Sequence, residues 1–146
     1  MARYIVDSQI DNHEKYYFIR EQESQDIVLL PSKYLMHKKR SKLSPNTIRR
    51  SAGAISYYLN YIDETGIQLD DVWEMPYNKQ QEHFTDYLIW LQAGLHSGDS
   101  YKKKPYNETC NAYLKDVFRF FCFLELEADM ERLKVLYYDS FTTPDS

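Results

Sequence analysis

Two stretches of the sequence carry side chains suited to holding an anion. "SPNTIRR" supplies Ser44, Asn46, Thr47, Arg49 and Arg50, and "YNETCNAYLK" supplies Asn107, Thr109, Asn111 and Lys115. Hydroxyls and free N–H groups at a helix start bind phosphate. Lysines just upstream, in "HKKRSK" and "KKK" (Lys102, Lys103 and Lys104), add long-range attraction. Arg50 suits a base edge or a phosphate, and Asn46 and Asn111 can hydrogen-bond to either. Together these are the parts of a surface for duplex DNA. Each has a plainer reading when taken singly. Ser44 is an N-cap candidate, Thr47 and Thr109 fit ordinary helix-start chemistry, and a charge run most often marks a solvated face.

Chemistry of other kinds finds few parts. His13, His37, His83 and His96 are scattered, and none pairs with cysteine or carboxylate at metal-ligand spacing. No Gly-rich phosphate loop and no Gly-x-Ser-x-Gly occurs, and neither cysteine has a nearby histidine. Asp70 and Asp71 are adjacent but lack the partners that a Mg²⁺ site needs. No catalytic residue, metal or cofactor is expected.

The elements that must position the polar stretches are helices. Ser44 precedes Pro45 at N1, and Ile48, Ala52, Ile55, Leu59 and Ile62 recur at spacings of 4, 3, 4 and 3 before a stop at Gly66. At 100° per residue, Asn46, Arg50, Gly53 and Tyr57 point away from that stripe. Gly53 in mid-helix costs about 1 kcal/mol relative to Ala. Close approach by a partner backbone, tight helix–helix packing or drift would each explain it. A short helix is expected from Pro31, with Tyr34 and Leu35 as packing residues. "IQLDDVWEMP" reads as a connection, followed by a helix over about 78–93 that buries Phe84, Tyr87, Leu88 and Leu91 and ends at Gly94. A loop leads to a long helix from about Asn107 to Glu127. There Cys110, Tyr113, Leu114, Val117, Phe121 and Leu124 form one side, and Glu108, Ala112, Lys115 and Arg119 the other. "MERLKVLYYDSF" is a candidate last helix. Upstream, "RYIV" and "YYFIR" are β-like runs that suggest a hairpin or extended arm. The two polar helix starts resemble each other, so they are expected to sit side by side.

The chain has 146 residues and a net charge of −4, but that mean hides a pattern. Residues 27–62 hold Lys33, Lys38, Lys39, Arg40, Lys42, Arg49 and Arg50 and no acid; residues 63–91 are acidic; residues 101–119 turn basic again. Fourteen tyrosines, seven phenylalanines and two tryptophans make the chain too aromatic for disorder. No apolar run is long enough to span a membrane, and no signal peptide is evident. Cys110 and Cys122 lie twelve residues apart on one expected helix, beyond disulfide reach. A reduced, cytoplasmic protein follows as the expectation.

From about Tyr34 to Leu126 the chain resembles the N-terminal core-binding (SAM-like) domain of phage-integrase-type tyrosine recombinases. The resemblance rests on "YLMHKKRSKLSPNTIRRSAGAISYYLNYIDETG" and "YNETCNAYLKDVFRFFCFLE". It implies a mainly α orthogonal bundle of four or five helices that clamps duplex DNA at a recombination site. It places DNA contacts on Asn46, Thr47, Arg49 and Arg50 and on Asn107, Thr109, Ala112 and Lys115, with Lys42 and Lys102 to Lys104 touching phosphates. It implies other recombinase protomers as partners in a synaptic tetramer. The family's catalytic domain has no counterpart here. "HKKR" (His37 to Arg40) matches the family's His-x-x-Arg string but precedes the DNA-clamping helix, whereas the catalytic copy lies far downstream.

The expected organisation is an N-terminal arm with short strands over 1–30 and a helical DNA-binding domain over 31–138. Residues 139–146 would be a tail or the start of a linker to the absent catalytic domain. The expected function is DNA binding without catalysis. A helical protein–protein interaction module is the alternative, which the negative net charge and the many tyrosines suit. A small helical enzyme has no assembled site to support it.

Overall fold

Asn12 and His13 both adopt positive φ, 51° and 66°. Two left-handed residues in succession suit a two-residue hairpin loop, because they match the twist of the flanking strands. They join β1 (Tyr4–Asp11) to β2 (Glu14–Glu21), antiparallel, with Val6 opposite Ile19 and Asp7 opposite Phe18. The computed structural model describes residues 3–97, 104–127 and 133–135. Five α-helices follow the hairpin among the described residues, so the chain is mainly helical with a small N-terminal sheet.

α1 (Leu29–Arg40) begins two residues before the expected start, so that Pro31 sits in its first turn, where no backbone donor is needed. α2 (Pro45–Thr65) has the expected ends. Ser44 Oγ accepts from the Thr47 N–H at 3.2 Å, and Gly66 closes the helix at φ 77°. The "connection" contains a further helix, α3 (Leu69–Glu74), opened by a capping box in which the Gln68 N–H donates to Asp71 Oδ2 at 2.8 Å. α4 (Tyr77–Gln92) ends at Gly94, whose φ is also 77°, and a 3-10 turn (Leu95–Ser97) follows. α5 (Asn107–Glu127) has the expected bounds.

The core is aromatic. Tyr58 of α2, Phe84 and Tyr87 of α4, and Phe118 and Phe121 of α5 are all buried. Tyr58 lies 5.1 Å from Tyr87 and 5.7 Å from Phe121, and Phe84 lies 4.8 Å from Phe118. Such ring pairs add about 0.5–1.5 kcal/mol beyond their area. The polar tips find partners: the Tyr58 hydroxyl and His83 Nε2 are 2.8 Å apart, and the Tyr87 hydroxyl donates to the Ala54 carbonyl at 3.3 Å. Burial raises the pKa of both phenols and pushes His83 down to about 4. Leu88, expected in the buried face of α4, is only partly covered, while Gln80, His83 and Trp90 are buried there. Tyr34 of α1 packs on Phe120 and Phe123 of α5 at 5.5 and 5.2 Å.

The hairpin is no loose arm. Ile19 is fully buried in the same core. Asn60, in mid-α2, accepts from the N–H groups of Arg3 (2.9 Å) and Tyr4 (2.8 Å) and donates to the Tyr4 carbonyl (3.0 Å). The Ser56 hydroxyl donates to that carbonyl at 2.8 Å. An Arg3–Asp63 ion pair at 2.6 Å closes the seam. Of the candidate last helix only Leu133, Lys134 and Val135 are described; Leu133 and Val135 are buried, and Lys134 Nζ donates to the Trp73 carbonyl at 2.9 Å. The rest of that stretch, with residues 139–146, lies outside the described residues. No described helix is long and apolar enough to cross a membrane.

Candidate nucleic-acid interface

The outer face of α2 forms the floor of a groove. Asn46, Arg49, Arg50, Gly53 and Tyr57 lie along it, with Val6 of β1 on one side and Tyr113 of α5 on the other. The hairpin is held there by Asn60 and Ser56, further along the same side of α2 as Arg49 and Gly53. α5 is held by the core. The groove is the part of α2 that neither the core nor the hairpin covers.

Not every expected contact residue is free to act. Ser44 Oγ caps Thr47, and the two hydroxyls share a hydrogen bond at 2.8 Å. Both side chains therefore serve the helix start, the plainer of their two readings. Asn46, Arg49 and Arg50 are exposed. Arg49 makes no ion pair among the described residues, and neither does Lys115, which is partly covered on α5. Lys42 is exposed in the α1–α2 link with φ 62°. Asn107 and Asn111 are exposed, and Thr109 and Ala112 partly covered. Lys104 is exposed, and Lys102 and Lys103 lie outside the described residues.

Arg50, in the second turn of α2, and Ser51 meet Asp116, in the third turn of α5, while Tyr57 meets Tyr113 with ring centres 5.4 Å apart and Tyr58 meets Phe121.

Asp116 is the residue that charge counting missed. It is 1% exposed, although the sequence shows it simply as an acid in a basic block. Arg50 Nε lies 3.3 Å from Oδ2, Arg119 Nη1 lies 3.3 Å from Oδ1, and the Ser51 hydroxyl donates to Oδ1 at 3.3 Å. Lys38 of α1 stands close enough to feel all three charges, and burial lowers its pKa. One carboxylate is thus ringed by Arg50, Arg119 and Lys38, and the local balance stays positive. Helical periodicity gives little warning of its burial: at 100° per residue position 116 falls on the border of the two sides of α5, about 60° from Tyr113 and about 40° from Ala112. Glu108, by contrast, is an exposed acid in the first turn of α5 and opposes anion binding there.

Among the described residues Gly53 has no packing reason to be glycine. A Cβ built on it would meet only the edge of Tyr57, at 4.0 Å, an ordinary contact. Helix–helix packing within the chain therefore does not account for it.

Among the described residues no group of three His, Cys, Asp or Glu side chains could hold a metal ion. Cys110 is buried and Cys122 is exposed, and neither forms a disulfide among the described residues. Compared with protein-family models, with curated proteins and with solved structures, the chain finds no match.

Proposed function

We propose that the chain is a DNA-binding domain of the core-binding, SAM-like kind that tyrosine recombinases use, clamping duplex DNA without cutting it. The observation that supports this best is the groove: Asn46, Arg49 and Arg50 on one exposed helix face. Arg119 of the neighbouring helix joins Arg50 on Asp116, an acid that is buried and outnumbered. Amide and guanidinium groups on a helix face are the side chains that read base edges and hold phosphates. On this reading Lys42, Lys104, Lys102 and Lys103 meet phosphates, Asn107, Thr109, Asn111 and Ala112 extend the contact along α5, and the protein acts in the cytoplasm. Other protomers would join it on the DNA, and a separate domain would supply the catalytic residues.

The test is retention of the full 146-residue chain on a labelled duplex of mixed sequence, as salt is raised. With about 4 to 6 phosphates neutralised, log Kd against log salt should have a slope magnitude of roughly 4 to 5. Arg49→Glu should abolish retention while leaving the fold intact, because Arg49 has no internal partner. Arg50 is the poorer probe, since its replacement also disturbs Asp116. Unchanged retention in Arg49→Glu overturns the reading.

A second reading, a helical protein–protein module, is favoured by Ile27 and Leu29, which are 55% and 77% exposed beside a cleft between the hairpin, α1 and the end of α2. Absence of duplex retention at low salt, with self-association or partner capture lost in Leu29→Glu, would favour it.

A further inference from the structure

We infer that Gly53 is the point where a sugar–phosphate strand crosses α2 in contact with the helix backbone. This rests on the DNA-binding reading and adds to it the place and manner of closest approach. A glycine in the middle of a 21-residue helix weakens that helix, so it needs a compensating reason. Among the described residues there is none: a methyl group on Gly53 would meet only the edge of Tyr57, at ordinary contact distance. The residue lies on the floor of the groove, between Arg49 and Arg50 on one side and the rings of Tyr57 and Tyr113 on the other. What its missing side chain leaves accessible is the main chain of α2 itself.

Helix dimensions say which part of a duplex would arrive there. Asn46 to Gly53 is seven residues, about 10 Å along the axis at 1.5 Å per residue. The major groove of B-DNA is about 12 Å wide and about 8.5 Å deep. With Asn46 and Arg49 at base edges in the first turns of α2, Gly53 reaches the groove's wall, and that wall is sugar and phosphate. Arg50, which offers water its outer guanidinium nitrogens while Nε faces Asp116, stands one turn away to meet the same strand. Ser, Asp or Glu at this position would bring bulk or charge against a polyanion. Glycine brings neither.

The inference predicts effects of opposite sign in one variant. Gly53→Ala should raise the melting temperature of the full chain by about 3 °C, because it removes a helix-weakening residue at a site with room for a methyl. The same variant should bind a labelled 25-base-pair duplex of mixed sequence, at low salt, about tenfold more weakly, as overpacking of a tight contact would require. Gly53→Leu should lose more. Thr85→Ala, on the exposed side of α4, serves as the control and should leave binding unchanged. If the parent chain binds and both Gly53 variants bind equally well, the close approach is refuted while the DNA-binding reading stands. If the parent chain itself fails to bind, both fall together.

Discussion

α2 lies between two unlike surroundings. On its inner side Ile48, Ala52, Ile55 and Leu59 are all but sealed from water, and Tyr58 is enclosed by the rings of Tyr87, Phe84 and Phe121. On its outer side Asn46, Arg49 and Arg50 stand in solvent, Gly53 leaves a gap, and among the described residues the only charge contact is a single edge of Arg50 on Asp116. The inner side shows what holds the molecule together, namely dispersion and burial, with every buried hydroxyl of Tyr58 and Tyr87 satisfied. The outer side shows side chains that contribute little to stability and are therefore available for something else. The same helix can do both because the outer side of its first turns stands clear of the core and the hairpin, which bury most of its later ones.

Substitutions on the two sides should separate these roles. The largest effect is expected inside: Tyr58→Ala should cost about 3–5 kcal/mol, read by urea unfolding, because it leaves a cavity among four rings and an orphaned His83. An effect no larger than that of a surface substitution would mean the aromatic cluster is not the stabilising centre. Acid should act on the same region. His83 is neutral in the fold, with its pKa pushed down to about 4, whereas the unfolded chain takes up a proton near 6.5. The unfolded state then binds more protons, so stability falls as pH drops from about 6.5 toward 4, by up to about 3 kcal/mol. His83→Gln should flatten that part of the profile, and an unaltered profile would place the acid sensitivity elsewhere. The smallest effect is expected outside: Arg49→Ala should change stability by less than about 0.5 kcal/mol. A larger loss would show that the outer face is structural after all.

Much of this was legible in the sequence, for physical reasons that can be named. The ends of α2 announce themselves through Ser44, Pro45 and Gly66, because caps are local chemistry. The bounds of α5 followed from a polar start and a long aromatic stripe. Tyr87 is expected in the buried face of α4 and Tyr113 on the apolar side of α5; Tyr87 is buried and Tyr113 partly so, packed against the core. The short α3 was hidden because six residues carry too little periodicity, although its Gln68–Asp71 cap is visible in hindsight. Ser56 and Asn60 were passed over because apolar patterning says nothing about buried polar residues whose partner, the Tyr4 backbone, lies more than fifty positions away. Asp116 was misjudged for the same reason: its cationic partner Arg50 is 66 residues distant, and a charge tally treats every acid as solvated.

Asp116 also bears on how long anything stays in the groove. It already occupies one edge of Arg50 and one edge of Arg119, so an arriving anion finds a resident competitor for both guanidinium groups. Whatever binds must share those cations with an acid that cannot leave. On the proposed reading, detachment restores contacts already in place, which favours release.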